Sequence, residues 1–175
     1  AMRNGKVIYD KQFGKLSTAS NAPKVTSKTL YDIASVTKIA ATTLAVMKLY
    51  EEGKLDLNAT LATYLPEATN TNKANLKIKD ILLHQAGLVA WIPFYKSTID
   101  ENKQPKLDLY KSTRVDSFSV PITQNLYMKY QYIDTVWQQI WDSKVVTGQG
   151  YVYSDLDFLI LQKVVEKISN KSLNK

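Results

Sequence analysis

The sequence predicts an α/β (α+β) fold that is mostly helical over its 175 residues, with one N-terminal β-hairpin. Three observations carry this expectation. Four segments repeat apolar residues at helical spacing, two short segments near the N-terminus read as strands, and no further strand follows the last helix. A single hairpin has two open edges and is marginal in isolation. The expected organisation is therefore the N-terminal portion of one domain over residues 1–175. It has a hairpin at 6–16 and a helical region at 35–175, and the remaining sheet strands lie beyond Lys175.

The hairpin is read from Lys6 to Tyr9 and Gln12 to Leu16, around Asp10-Lys11. Ser17 to Thr29, with Asn21 and Pro23, reads as a loop. The first helix starts near Ser35. Val36, Ile39, Ala40, Thr43, Met47 and Tyr50 give its period, and Leu44 and Val46 widen the apolar surface enough to predict burial on most sides. Gly53 is its expected C-terminal stop. Ile78 to Gln85 is a second helix, ended by Gly87, and Val89 to Pro121 lacks periodicity. A stretch that long without regular structure covers a functional site or is mobile. Ile133, Trp137, Ile140 and Trp141 mark a third helix whose two tryptophans face the core. Asp155 to Ile168 is the fourth, with Leu156, Leu159, Ile160 and Val164 on one face.

Composition narrows the chemistry. There is no cysteine and one histidine, His84, which removes thiol nucleophiles, disulfide frameworks and most zinc or iron–sulfur sites. No metal or cofactor is expected. No apolar run reaches 18 residues, so no membrane span is expected. The net charge of +7 comes almost wholly from lysines spread along the chain, with Arg3 and Arg114 the two arginines. A dispersed lysine surface reads as solvation rather than as a nucleic-acid site, which needs clustered cations.

Ser35 and Lys38 stand three residues apart at the mouth of the most apolar helix. A serine hydroxyl is a weak nucleophile until a base takes its proton, and a desolvated lysine can be that base. A helix N-terminus adds N–H groups and a positive dipole end that favour an oxyanion. Spacing alone is weak evidence, because random composition yields about 1.4 Ser-x-x-Lys matches in a chain with this many serines and lysines. There are two, and the other, Ser172 to Lys175, lies in a polar tail. Read from residues alone, Ser35 as a helix cap and Lys38 as a surface lysine remain open.

The wider wording is more specific. Tyr31-Asp32-Ile33-Ala34-Ser35-Val36-Thr37-Lys38, the apolar helix and Glu52-Gly53-Lys54-Leu55-Asp56-Leu57 resemble the serine β-lactamase and penicillin-binding-protein superfamily, in particular its class C β-lactamase, DD-peptidase and esterase branch. Ile81 to Leu88 is similar to that branch's Leu-Leu-x-His-x-x-Gly-Leu signature. Tyr153-Ser154-Asp155 looks like its Tyr-x-Asn element. The three elements come in the family's order and span nearly the whole chain. The resemblance extends to serine-hydrolase domains attached to family 3 glycoside hydrolases, helped by Trp91 to Lys96.

The resemblance implies a β-lactamase/DD-peptidase-like fold, with Ser35 as acylated nucleophile, Lys38 as base or proton relay and Tyr153 as partner general base and acid. A cation beside the phenol favours its ionised form. Asp155 falls at a substrate-binding position, and the family histidine matched by His84 is structural. The implied substrate is a small molecule or peptide: a cell-wall peptide amide, an ester or a β-lactam. The implied address is periplasmic or otherwise extracytoplasmic in a bacterium, with a glycoside hydrolase domain as a covalently linked partner in the full-length protein. The alternative is a non-catalytic relative that binds cell-wall material or a partner domain.

Two departures from the family pattern bear on this. Asp155 replaces an asparagine and cannot donate the amide hydrogen bond that asparagine offers. If ionised beside Lys38 it raises that lysine's pKa and weakens it as a base; as a residue of the helix start it also reads as a cap. The second is the missing late Lys-Thr-Gly or His-x-Gly strand, which lines the site and supplies an oxyanion N–H. This chain alone is therefore expected to be catalytically weak or inactive.

Overall fold

Asn4 and Gly5 both adopt positive φ, 49° and 74°, and close a tight antiparallel hairpin between β1 (Met2–Arg3) and β2 (Lys6–Val7) in a computed structural model that describes residues 1–175. A two-residue turn with positive φ at both positions matches the twist of the flanking strands, and Asn-Gly takes that conformation cheaply. The hairpin expected at 6–16 is thus displaced toward the N-terminus. Asp10-Lys11 carries no glycine to take the second positive φ of such a turn, and residues 12–16 contribute only the bridge between Lys15 and Lys24. This segment belongs to the first of two compact units, Ala1–Val36, most of whose residues are exposed.

The second unit, Thr37–Lys175, holds the hydrophobic core. It opens on a π-helical segment, Lys38–Thr42, that runs into α1 (Thr43–Glu51). Wide π turns inside helices recur at functional sites. Helix α1 ends in the hydrogen-bond pattern its sequence predicts. Gly53, at φ 68°, donates to Tyr50 O, and Lys54 donates back to Leu49 O. Its burial departs from expectation. Val46 and Leu49 are buried, whereas Leu44, Met47 and Tyr50 are each more than half exposed. One stripe of the helix faces the core, not most of its circumference.

Short helices α2 (Leu61–Tyr64) and α3 (Ile78–Leu82) and the long α5 (Asp155–Ser169) complete the core, with α4 (Tyr132–Asp142) packed beside them. Helix α5 touches α1, α2, α3 and the π-helical segment. Its Leu156, Ile160, Leu161 and Val164 are fully buried, at i, i+4, i+5 and i+8. Trp137 and Trp141 stack at 5.5 Å and pack on the core. Lys73 is also fully buried. Its ammonium donates to Ser143 O at 2.6 Å, Asn72 Oδ1 at 2.9 Å and Trp141 O at 3.1 Å, which satisfies carbonyls at the end of α4.

The region expected to be helical also contains a three-stranded antiparallel sheet in the order β3-β5-β4. Its strands are β3 (Tyr110–Lys111), β4 (Val120–Thr123) and β5 (Leu126–Met128). These strands run two to four residues, and β4 carries Pro121 with an irregularity between Pro121 and Thr123. Segments that short do not establish a two-residue period, and proline argues against a strand.

Candidate active site

Each predicted site residue has a local structural reason for its position. Ser35 lies in the last turn of the first unit, exposed, after Ala34 at φ 42°. A non-glycine residue at positive φ is strained and needs over-determined surroundings. Here Ala34 N–H donates to Asp32 Oδ1 at 2.7 Å and Val36 N–H to Ile33 O at 2.9 Å.

Lys38, Tyr153 and Asp155 come together in the second unit. Lys38 Nζ donates to Asp155 Oδ1 at 2.7 Å and lies 5.0 Å from the centre of the Tyr153 ring. The Lys38 side chain is 15% exposed and that of Asp155 52%. Burial pulls the ammonium pKa down, but hydrogen bonds to Asp155 and Tyr153, reinforced by their charge, more than offset it. Lys38 therefore ends above its ordinary value and is a cation at neutral pH. The desolvated neutral amine considered from sequence is not what these neighbours produce.

Tyr153 and Asp155 are held by the start of α5 and the loop after α3. Ser154, not Asp155, caps α5: its Oγ accepts from Leu156 N–H at 3.1 Å and donates to Val89 O at 2.6 Å. Asp155 N–H donates to Ala90 O at 2.8 Å, and Val152 N–H to His84 O at 2.9 Å. Gly87 makes the close approach possible. It sits at φ 75°, and a Cβ there would meet Val146 O at 2.2 Å.

His84 ends α3 at φ 57° and is nearly buried. Its ring lies 4.6 Å from that of Tyr153 and 5.2 Å from that of Phe158, with Tyr151 edge-on at 5.9 Å. Its Nδ1 is 2.7 Å from Asp157 Oδ2. Burial lowers the His84 pKa, the Lys38 charge lowers it further, and Asp155 partly opposes them. Burial pushes the Asp157 carboxyl up to about 8. The sequence offers Asp157 only as a neighbour of the helix start, although an acid two residues from Asp155, i−3 from buried Ile160 and i−4 from buried Leu161, stands out on an apolar stripe. No group of three or more His, Asp or Glu side chains is arranged to hold a metal ion.

The Beta-lactamase family model matches residues 1–175, and the chain belongs to that family. It is 26% identical over 185 residues to an N-acetylmuramyl-L-alanine amidase of Bacillus subtilis, covering 99% of this chain and 37% of the relative. It is 30% identical over 173 residues to a putative D-alanyl-D-alanine carboxypeptidase of Salmonella schwarzengrund, covering 95% and 35%. Among solved structures, FmtA from Staphylococcus aureus aligns with a TM-score of 0.57 at 25% identity, over 87% of this chain and 34% of that one. A class C beta-lactamase aligns at 0.56 and 18% identity, over 87% and 33%, which shows a shared fold. The chain thus spans little more than a third of the curated relatives it matches, and the expected β-lactamase-like α/β fold holds for it.

Proposed function

We propose that this chain carries the nucleophile portion of a serine hydrolase that works by acyl transfer on cell-wall peptide amides or esters. The observation that carries the reading is the Lys38 ammonium held 2.7 Å from Asp155 and over the Tyr153 ring. A fixed cation beside a phenol supplies the charge that a Tyr153 phenolate requires. Tyr153 then takes the Ser35 hydroxyl proton as Oγ bonds to the substrate carbonyl carbon. The carbonyl π pair moves to oxygen and returns as the bond to the leaving group breaks, and Tyr153 passes its proton to that group. Water, activated by the same phenolate, hydrolyses the ester at Ser35. Lys38 orients and stabilises in this scheme and does not act as the base.

Relatives named as a muramyl-alanine amidase and a D-alanyl-D-alanine carboxypeptidase support cell-wall peptides as the substrate class and an extracytoplasmic place of action. Asp155 weighs against efficient β-lactam binding, because a carboxylate offers no amide N–H. With no Lys-Thr-Gly or His-x-Gly strand among the 175 residues, the chain alone lacks one oxyanion donor, worth about 2.7–4 kcal/mol of transition-state stabilisation. Slow or no turnover is the expected behaviour of the 175 residues by themselves.

A fluorophosphonate probe tests the reading in the full-length protein. Stoichiometric labelling that Ser35→Ala abolishes supports it. Clean absence of labelling overturns it and favours a non-catalytic domain that binds cell-wall material, a reading the Lys38–Asp155 ion pair also accommodates.

A further inference from the structure

Two groups share one nitrogen beneath Tyr153. Ser154 N–H points at His84 Nδ1 from 3.2 Å, and Asp157 Oδ2 lies 2.7 Å from the same atom. An imidazole nitrogen has one in-plane site, either a lone pair or a hydrogen. The backbone N–H cannot change role, so Nδ1 accepts. A carboxylate oxygen 2.7 Å from a bare nitrogen would set two lone pairs against each other. The arrangement that serves both neighbours has Asp157 bring the proton itself, as an O–H that shares the Nδ1 lone pair with the longer Ser154 N–H contact, and the imidazole carry its hydrogen on Nε2.

Two further facts agree. Asp157 is 1% exposed, and its Oδ1 is buried without a hydrogen-bond partner. A neutral carbonyl oxygen tolerates that far better than a carboxylate oxygen does. Burial alone also raises the Asp157 carboxyl to about 8. The pair is firmly attached to the site, because its imidazole packs on Tyr153 and its Nδ1 holds the backbone between Tyr153 and Asp155.

We propose that Asp157 and His84 are positioning residues: a neutral acid–imidazole pair that fixes Tyr153 in place and whose loss of a proton sets an alkaline limit on the site. Deprotonated Asp157 would draw a hydrogen onto Nδ1, oppose the Ser154 N–H and loosen the segment carrying Tyr153. The charged and titratable groups facing the pair are Lys38, Asp155, Tyr151 and Tyr153. The part concerning reactivity rests on the acyl-transfer reading above, while the proton placement and the ring geometry do not.

His84 is the only histidine in the chain, so ¹⁵N-histidine NMR reads its tautomer without assignment. The expected result at neutral pH is a protonated Nε2 and an unprotonated Nδ1. It should be accompanied by a His84–Tyr153 ring NOE that weakens as the pH rises through about 8. An Nδ1–H tautomer or an imidazolium at neutral pH overturns the proton placement. Asp157→Leu should lose the NOE, and Asp157→Asn, whose amide N–H can donate in the same place, should restore it. If both keep it, the positioning role is refuted.

In the full-length protein, fluorophosphonate labelling of Ser35 should fall by roughly tenfold to a hundredfold in Asp157→Leu, the cost of a misplaced catalytic group. It should recover in Asp157→Asn, with the alkaline limb moved upward. An unchanged pH profile in Asp157→Leu also refutes the role. An unlabelled wild type with the expected tautomer and NOE refutes the acyl-transfer reading and leaves the pair's geometry established.

Discussion

Lys38 Nζ donates to Asp155 Oδ1 at 2.7 Å, although 117 positions separate the two residues along the chain. The contact ties the π-helical segment to the first residue of α5 and fixes the charge state of the lysine. Replacing Asp155 by asparagine separates the two effects. The ion pair is half exposed, so losing it should cost no more than about 1 kcal/mol of stability. The sign follows from the raised Lys38 pKa: the stabilisation is complete below the ordinary lysine value of 10.5 and is lost as the pH rises through the folded value. Asparagine regains an amide donor, so acylation of the full-length protein by penicillin should rise by about tenfold in Asp155→Asn, the worth of one hydrogen bond. Unchanged or slower acylation, measured by stopped assay, would assign Asp155 another purpose.

Gly87 tests how closely the loop after α3 must approach its neighbour. Val146 N–H donates to Gly87 O at 2.8 Å, and Leu88 bridges Val145. Alanine at 87 would add strain at φ 75° and a clash with Val146 O at 2.2 Å, with backbone rather than a movable side chain on the other side. Gly87→Ala should lose about 2 kcal/mol or more in urea denaturation. A variant as stable as the parent would show that this backbone yields easily.

Much of this arrangement was legible in the sequence, and the reasons for the exceptions are local. Helices α1, α4 and α5 are legible because each buries a stripe at helical period, and Gly53 marks the end of α1 with known capping chemistry, whereas the cap of α5 is Ser154 and not the expected Asp155. The meeting of Lys38, Tyr153 and Asp155 was foreseeable only from the resemblance, since no spacing rule links positions so far apart. The hairpin sits N-terminal to its expected place because its turn is Asn4-Gly5, where both residues take positive φ, and not Asp10-Lys11. The β3-β5-β4 sheet was missed because its strands are too short to show a period. The pairing of Asp157 is not legible in the sequence because its partner, His84, lies 73 positions away.

Lys73 should make stability depend on alkaline pH in a direction opposite to Asp157. Burial lowers its pKa from 10.5 to about 8, with Asp142 opposing weakly. Between those values the unfolded chain binds the proton and the folded chain releases it, so stability should rise with pH across that window. Lys73→Met removes the titration and leaves Trp141 O and Asn72 Oδ1 without this donor, while Ser143 O keeps the hydrogen bond from Asn72 Nδ2 at 3.0 Å. It should cost about 1–3 kcal/mol at neutral pH, the price of buried unsatisfied acceptors. If the variant keeps the wild-type pH slope above pH 8, Lys73 is not its source.

Asp157 carries the complementary prediction for stability. Its folded value, about 8, lies far above the ordinary 3.8, so the folded chain holds a proton that the unfolded chain has released. The stabilisation is complete below 3.8 and declines as the pH rises toward 8, by about 1.4 kcal/mol per pH unit for one proton. Asp157→Asn does not titrate and can still donate to His84 Nδ1, so its unfolding free energy should be flatter over that window and exceed that of the wild type increasingly toward pH 8. Urea titrations at several pH values in the window decide the matter. Parallel profiles for the two proteins would mean that Asp157 is already ionised in the folded chain, and the hydrogen between it and His84 would then have to sit on the imidazole.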